Sequence, residues 1–139
     1  MRRAVELVGP LTWRDATAGT VIARPERFGD VVLARKDAPT SYHLAVTVDD
    51  AAQGITDVIR GRDLFDATDV HRLLQALLGL PTPRYHHHAL LTGPDGERLA
   101  KRHGPPTLAD LRASGADGEK LGADLLAGRL PAGYSAAAS

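Results

Sequence analysis

The chain has 139 residues, and its 17 lysine and arginine side chains balance 17 aspartate and glutamate side chains, so its formal net charge is zero. This length is typical of one domain, and the balance argues against a generally basic nucleic-acid-binding protein. Cysteine is absent, which excludes a disulfide scaffold and a thiolate zinc site and fits a reducing cytoplasm. No apolar run reaches the roughly 20 residues of a membrane helix, and Gly9-Pro10 ends the first apolar stretch too early for a signal peptide.

The first half of the chain predicts short elements separated by turns. Residues 1–9 predict a helical stub, and residues 11–27 are mixed, without a regular element. Residues 31–34 are short, apolar and β-branched, so they predict a strand, and residues 42–48 are rich in strand-forming types. Asp49-Asp50 then predicts a helix or turn start, with one aspartate as a cap and the other ordering neighbouring loops.

The middle of the chain predicts a β-α-β unit. Residues 57–59 predict a strand, and residues 69–78 predict a helix because leucines and a valine recur at helical spacing. Gly79 should end that helix. Residues 87–92 predict the second strand, and residues 93–96, with two glycines and a proline, predict a turn.

The last part of the chain predicts a loop, two helices and a tail. Residues 98–106 form a basic loop, and Thr107 should cap a helix over residues 108–112. A further helix is expected over residues 117–126, and the tail from Gly128 is expected to fray. Because strands alternate with helices, the sequence predicts an α/β fold with a small sheet.

A parallel α/β sheet binds ligands beyond the carboxyl ends of its strands, and three polar groups are expected to cluster there. They are Tyr42 at the start of its predicted strand, Arg60 at the end of the next one, and the loop after the last strand, which carries Lys101. An arginine such as Arg60 can hold a carboxylate with two parallel hydrogen bonds, and a lysine on a Gly-flanked loop suits a phosphate whose charge changes during reaction. These residues favour a site for a carboxylate and a polyphosphate; the alternative is that they are solvated charges at loop ends.

Two other features have structural interpretations. The consecutive residues His86, His87 and His88 would alternate between the two faces of a strand, so at most two could converge on a metal ion. No acidic ligand near them completes a set, and a metal site is therefore disfavoured. Trp13, the only tryptophan, is expected to be a packing anchor.

Several runs in order resemble the glutamyl-tRNA synthetase family. They lie within residues 29–37, 41–50, 53–64, 77–83 and 90–102. The resemblance covers roughly residues 7–114. The Pro-Leu-Thr-Trp run that precedes these segments, and the lack of a long anticodon-binding region, are similar to the short glutamyl-Q tRNA(Asp) synthetase branch of the family.

The resemblance implies a partial Rossmann-like class I aminoacyl-tRNA synthetase catalytic domain, with a small parallel sheet and C-terminal helices. Residues 1–28 would be a linker and N-terminal segment, residues 29–114 the C-terminal half of the catalytic domain, and residues 115–139 a terminal helix and flexible tail.

The resemblance also assigns roles to residues. Tyr42 matches the tyrosine that packs on glutamate, and Arg60 matches the arginine that holds its carboxylate. The run Leu-Ala-Lys-Arg falls on the class I signature written KMSKS, so Lys101 would neutralise phosphate charge as an adenylate forms. Arg98 stands in place of the signature's first lysine, and Ala100 replaces its serine. ATP with Mg²⁺ is the implied nucleotide.

The implied function is ATP-dependent activation of glutamate and its transfer to queuosine of tRNA(Asp), in the cytoplasm and without a membrane. The family's HIGH-type signature and its zinc-binding cysteines have no counterpart here. We therefore expect a truncated form that alone makes no glutamyl-adenylate. The alternatives are a non-catalytic α/β binding module and a half-enzyme that needs a partner chain or associates through an open sheet edge.

Overall fold

The computed structural model describes residues 1–37, 39–93, 97, 99, 107–131 and 134–136. The chain divides into two compact units, Met1–His88 and Ala89–Ser139. The expected boundaries after residues 28 and 114 stay predictions. In the part of the chain that the structure covers, no helix is long and apolar enough to cross a membrane.

The first unit is built on a four-stranded sheet with the order β2-β1-β4-β3. The strands are β1 (Thr12–Asp15), β2 (Gly19–Ile22), β3 (Asp57–Gly61) and β4 (Arg84–His88). β3 and β4 are parallel over five residue pairs, whereas β1 runs parallel to β4 through the single pair Asp15–Tyr85. β2 is antiparallel to β1. The predicted α/β class with a small parallel sheet is confirmed, with β2 as an antiparallel edge.

Three helices accompany this sheet: α1 (Arg2–Val8), α2 (Tyr42–Ala52) and α3 (Thr68–Leu78). α3 connects β3 to β4, so the predicted β-α-β unit is confirmed. It ends at Gly79, which has a φ of +66° in the left-handed region that favours glycine. Both α1 and α2 contact α3. Helix α3 is thus the centre of the helical layer, and seven of its eleven residues are buried.

Trp13 anchors the core between the sheet and α3, as predicted. It is 2% exposed, and its indole meets the rings of Phe65, Tyr85 and His87 edge-on at centroid distances of 4.9, 5.5 and 5.7 Å. Its Nε1 donates to Oδ1 of Asp69 at 2.8 Å. Burial of a large ring together with its N–H partner is the arrangement that stabilises tryptophan in a core.

The prediction of a strand over residues 42–48 is wrong, because this segment begins α2. The Ser41 side chain caps the helix by accepting from the Leu44 N–H, and Thr47 donates to the His43 carbonyl one turn earlier. Strand-forming residue types were outweighed by this cap and by packing on α3. Asp49-Asp50 lies in the last turn of α2 and does not begin an element, so the capping prediction is wrong too.

Three other expectations differ from the structure. Residues 31–34 have no regular structure, and the Leu33 carbonyl instead accepts from the Ser41 N–H at 2.8 Å. Residues 11–27 contain the β1–β2 hairpin and most of a 3₁₀ turn at Pro25–Phe28. The strand expected at residues 87–92 begins earlier, at Arg84, and is interrupted after His88.

The second unit contains β5 (Leu91–Thr92), α4 (Leu108–Ala113), α5 (Gly118–Leu126) and β6 (Ser135–Ala136). Both predicted helices are confirmed. Thr107 caps α4 in a reciprocal arrangement with Asp110, and the Asp117 side chain caps α5. The expected fraying is wrong for Ser135–Ala136, which pairs with β5. The predicted turn at residues 93–96 lies outside the described residues except for Gly93, as does most of the basic loop.

Candidate functional site

Arg60 lies near the carboxyl end of β3, with its side chain on the sheet face that α3 covers. Its Nε donates to Nε2 of His87 at 3.1 Å, and its Nη2 donates to Oγ1 of Thr68 at 2.6 Å. The guanidinium carbon also stands 5.2 Å from the centroid of the Tyr85 ring. A cation on an aromatic ring, with donors directed at fixed acceptors, is held in one orientation.

His71, from α3, faces the end of the same guanidinium. Both Nη atoms of Arg60 lie 3.3 Å from its Nδ1. Because a guanidinium only donates, Nδ1 must accept, and a neutral His71 carries its proton on Nε2. That Nε2 lies 3.0 Å from Nδ1 of His43 in α2. The contacts therefore assign a directed series of hydrogen bonds from Arg60 to His71 and from His71 to His43.

On its other side Arg60 is connected to Asp15 through His87. Nε2 of His87 accepts from Arg60, so Nδ1 carries the proton and donates to Oδ2 of Asp15 at 2.8 Å. Asp15 also accepts from the backbone N–H groups of Thr17, Ala18 and His87. The charge of Arg60 is thus linked to a buried carboxylate through one imidazole.

The surroundings of Arg60 keep its neighbouring imidazoles neutral. Burial, followed by the charge of Arg60, lowers the pKa of His71 to about 3. Burial and Arg60 also lower the pKa of His43. For His87, burial lowers the pKa more than the hydrogen bond to Asp15 raises it. Burial alone would raise the pKa of Asp15, but its hydrogen bonds from Ala18, His87 and Thr17 bring it down to about 2.

Tyr42, the first residue of α2, stands beside this group and is 51% exposed. Its ring meets the rings of His43 and His71 edge-on at centroid distances of 5.8 and 6.0 Å. His71 is therefore the common neighbour of Tyr42 and Arg60, and the structure brings these two predicted residues together. Lys101 and Arg98 lie outside the described residues, so their predicted role on ATP stays a prediction.

The expectation of a two-bond grip on a carboxylate by Arg60 stays a prediction, and in the arrangement seen here protein groups face both edges of the guanidinium. A guanidinium has two edges with parallel N–H groups. The protein fills one edge with His87 and Thr68 and the other with His71. Within the described part of the chain, one N–H of Nη1 is left without an acceptor. Leu64 shares Nη2 through its carbonyl at 3.4 Å.

Thr68, His87 and Asp15 have the residue types of a nucleophilic triad, but the geometry argues against that chemistry. Oγ1 of Thr68 lies 3.3 Å from Nε2 of His87. The threonine is 0% exposed and donates to the Leu64 carbonyl, while Arg60 already occupies Nε2 of His87. A buried hydroxyl with its proton committed elsewhere is not an activated nucleophile.

The chain matches a known family over most of its length. A family model described as "tRNA synthetases class I (E and Q), catalytic domain" matches residues 1–121. The chain belongs to this family. The predicted resemblance is therefore confirmed, and the small parallel sheet with its helices is part of a class I synthetase fold.

Curated class I synthetases of one kind resemble this chain strongly. A glutamyl-Q tRNA(Asp) synthetase of Rhodobacter capsulatus is 54% identical over 104 residues, which are 75% of this chain and 36% of that protein. One from Symbiobacterium thermophilum is 52% identical over 106 residues, 73% of this chain and 33% of that protein. The chain spans about a third of the length of these relatives.

A solved synthetase structure shares the fold. It is a glutamate tRNA ligase from Elizabethkingia meningosepticum in complex with its amino acid, with a TM-score of 0.59 and 31% sequence identity. The match covers 70% of this chain and 20% of that one.

Sequence reasoning missed the residues that surround Arg60. His71 lies within the predicted helix, next to its apolar stripe, and His43 directly follows Tyr42. His87 alone of the three consecutive histidines is buried, in line with the predicted alternation along a strand. Its burial opposite Arg60 in the β3–β4 register could have been deduced once the two strands were paired.

The opposite face of the sheet carries a separate cavity. A cavity of about 560 Å³ there is lined by side chains that include Arg14, Ile59, Arg84 and His86. Neither Tyr42 nor Arg60 contributes to it. Among the residues that the structure covers, no group of three or more His, Cys, Asp or Glu side chains is arranged to hold a metal ion.

Proposed function

We propose that this chain supplies the amino-acid side of the catalytic domain of a glutamyl-Q tRNA(Asp) synthetase, a ligase that activates glutamate with ATP and transfers it to queuosine of tRNA(Asp). The proposal rests on the meeting of Tyr42 and Arg60 around His71. Family membership over residues 1–121 and the names of the curated relatives support it.

In this proposal Arg60 provides positive charge for a carboxylate of glutamate. Among the described residues, its hydrogen-bond partners are imidazole, hydroxyl and carbonyl groups, none of which is an anion. Its charge is therefore not cancelled by direct contact and is available to a ligand carboxylate. The half-exposed ring of Tyr42 provides an apolar wall at the rim of the same site.

Lys101 and Arg98 complete the proposal on the nucleotide side. They would balance the phosphate charge of ATP as glutamyl-adenylate forms and pyrophosphate leaves. Mg²⁺ would accompany the ATP, and we assign it no protein ligands. The site of reaction is proposed to be cytoplasmic, and an active ligase would take its remaining catalytic groups from further protein or from a partner chain.

Glutamate binding by the purified chain tests the proposal at its central residues. Titration with L-glutamate, followed by NMR, should shift the side-chain signals of Tyr42 and of Nε–H of Arg60. n-Butylamine, which lacks both carboxylates, is the control ligand and should leave them unchanged. Arg60→Met should weaken glutamate binding about tenfold or more, because a hydrogen bond to a charged group contributes roughly 1.5–3 kcal/mol. Equal binding by Arg60→Met, or no saturable shift by glutamate, would overturn the proposal.

A further inference from the structure

We infer that His71 is a positioning residue: as a neutral imidazole protonated on Nε2 and supported by His43, it holds Arg60 so that one N–H of Nη1 remains for a ligand carboxylate. The inference extends the proposed function, because the ligand it refers to is the glutamate proposed for this site. The orientation of Arg60 itself is inferred from contacts within the chain and does not depend on glutamate binding.

The end of the Arg60 guanidinium faces the acceptor Nδ1 of His71. Nη1 and Nη2 of Arg60 lie at the same distance, 3.3 Å, from Nδ1 of His71. One acceptor centred between two donors opposes rotation of the guanidinium in either direction. His87 and Thr68 restrain the neighbouring edge, so the orientation is set from two sides and a single N–H of Nη1 is left over among the described residues.

His71 is itself held by a hydrogen bond to His43. His71 is 2% exposed, and its Nε2–H donates to Nδ1 of His43. The two imidazole centroids are 5.1 Å apart. His43 belongs to α2 and His71 to α3, so this bond connects the helix that begins with Tyr42 to the residue that holds Arg60. Movement of α2 relative to α3 would therefore change the position of both proposed glutamate contacts.

The charge state of His71 determines whether it can accept hydrogen bonds from Arg60. Arg60 is the cation that faces His71, and the imidazoles of His43 and His87 lie near it. The ring of Tyr42 faces it from the start of α2 at a centroid distance of 6.0 Å. Asp50 of α2 also experiences the charge of Arg60. A protonated His71 would lose its acceptor at Nδ1 and place a second cation against the guanidinium. Neutrality of His71 is thus required for the hydrogen bonds that hold Arg60.

A first experiment tests this arrangement without any ligand. Long-range ¹H–¹⁵N NMR spectra of the full chain distinguish protonated from unprotonated ring nitrogens of histidine. We expect His71 to be unprotonated at Nδ1 and protonated at Nε2, and His87 to show the opposite pattern. A His71 protonated at Nδ1, alone or together with Nε2, would overturn the inference.

A second experiment separates positioning from packing. His71→Phe keeps a planar ring of similar size without an acceptor, whereas His71→Asn keeps an acceptor near the position of Nδ1. Rotation of the Arg60 guanidinium, measured by NMR line shapes of its Nη groups, should accelerate at least tenfold in His71→Phe and less than threefold in His71→Asn. Glutamate affinity should follow the same order. Equal rotation rates in wild type and a folded His71→Phe would overturn the inference.

The two proposals fail in different ways. If wild-type chain does not bind glutamate but Arg60 rotation still depends on His71, the proposed function is wrong and the positioning role stands. If glutamate binds and shifts Arg60 while His71→Phe binds it as tightly as wild type, the proposed function stands and the positioning role is wrong. If His71→Phe does not fold, the tautomer measurement on wild-type protein decides the inference.

Discussion

The indole of Trp13 and the carboxylate of Asp69 are joined by a buried hydrogen bond of 2.8 Å, although 56 residues separate them in sequence. The other carboxylate oxygen of Asp69 accepts from the backbone N–H of Arg24 at 2.9 Å. One side chain of α3 therefore ties together β1 and the segment that follows β2.

We predict that Asp69→Asn destabilises the first unit by about 1–3 kcal/mol. The substitution replaces one acceptor oxygen by an NH₂ group, which must face either the Trp13 or the Arg24 donor and leave it unpaired. Trp13 is the only tryptophan, so urea unfolding followed by its fluorescence reports on this unit. Ile59→Thr, at a 71% exposed strand position, is the control and should change stability by less than about 0.5 kcal/mol. Equal stability of the two variants would contradict the prediction.

Acid should destabilise the fold through His71. The folded-state pKa of about 3 lies below the ordinary value of 6.5, so between these values the unfolded chain holds one more proton. The associated stability is complete above pH 6.5 and is lost progressively as pH falls toward 3, by about 1.4 kcal/mol per pH unit. Asp15 acts in the same direction between its ordinary value of 3.8 and about 2.

Urea titrations at pH 7 and pH 5 measure this effect. His71 alone should account for about 2 kcal/mol of lost stability between these two values. His71→Asn removes the titrating ring, so its stability should depend less steeply on pH than that of the wild type. The same slope in both proteins would show that His71 does not titrate between the two states.

Asp15→Asn should disturb Arg60 as well as the sheet. An amide cannot accept from all four donors that reach the carboxylate, and an NH₂ group toward His87 favours a proton on Nε2 of that ring, against the Nε–H of Arg60. We expect a loss of at least about 1.5 kcal/mol, together with a change in the ¹⁵N shifts of His87. Asp57→Asn, which removes an exposed pairing with Arg84, is the matched control and should alter stability little. Unchanged His87 shifts would refute the prediction.

The second unit offers a test of local structure. Thr107 accepts from the Asp110 N–H, and Asp110 accepts from the Thr107 N–H. Thr107→Ala should destabilise α4 by roughly 1 kcal/mol, whereas Thr107→Ser keeps the hydroxyl and should cost much less. Hydrogen exchange of the α4 amides measures the difference. Equal protection in both variants would argue that the cap contributes nothing to α4.

The sequence alone was sufficient to predict the elements whose local residue pattern agrees with their tertiary environment. The leucine spacing and Gly79 predicted α3, and Thr107 predicted the start of α4, because caps and periodicity are local signals. The hairpin of β1 and β2 was missed because its turn is closed by the Asp15 side chain, which accepts from the Thr17 and Ala18 N–H groups. An aspartate directly before a turn, whose side chain can accept from the N–H two residues later, is a recognisable signal for such closure.

The candidate site was only partly predictable. Tyr42 and Arg60 were predicted from their places in the strand pattern and from a family resemblance that the match over residues 1–121 confirms, but their common neighbour was not predicted. His71 becomes a neighbour of both only when α2 packs on α3, and α2 was itself expected to be a strand. Residue types alone could not identify a neutral imidazole as the partner of a buried cation, because that role depends on distances set by three separate elements.

The attachment of β1 to β4 has a mechanical consequence. Only one residue pair of the parallel ladder joins them, and the Asp15 carboxylate supplies two more bonds, to the N–H and the ring of His87. The Ala16 N–H also donates to the Tyr85 carbonyl at 2.8 Å, so the seam between the hairpin and the rest of the sheet is fastened by a side chain as well as by the backbone. If that seam opened, His87 would lose its hydrogen bonds to Asp15 and could no longer hold Arg60 in place. Opening of the hairpin and loss of the Arg60 orientation would therefore occur together, as one cooperative step.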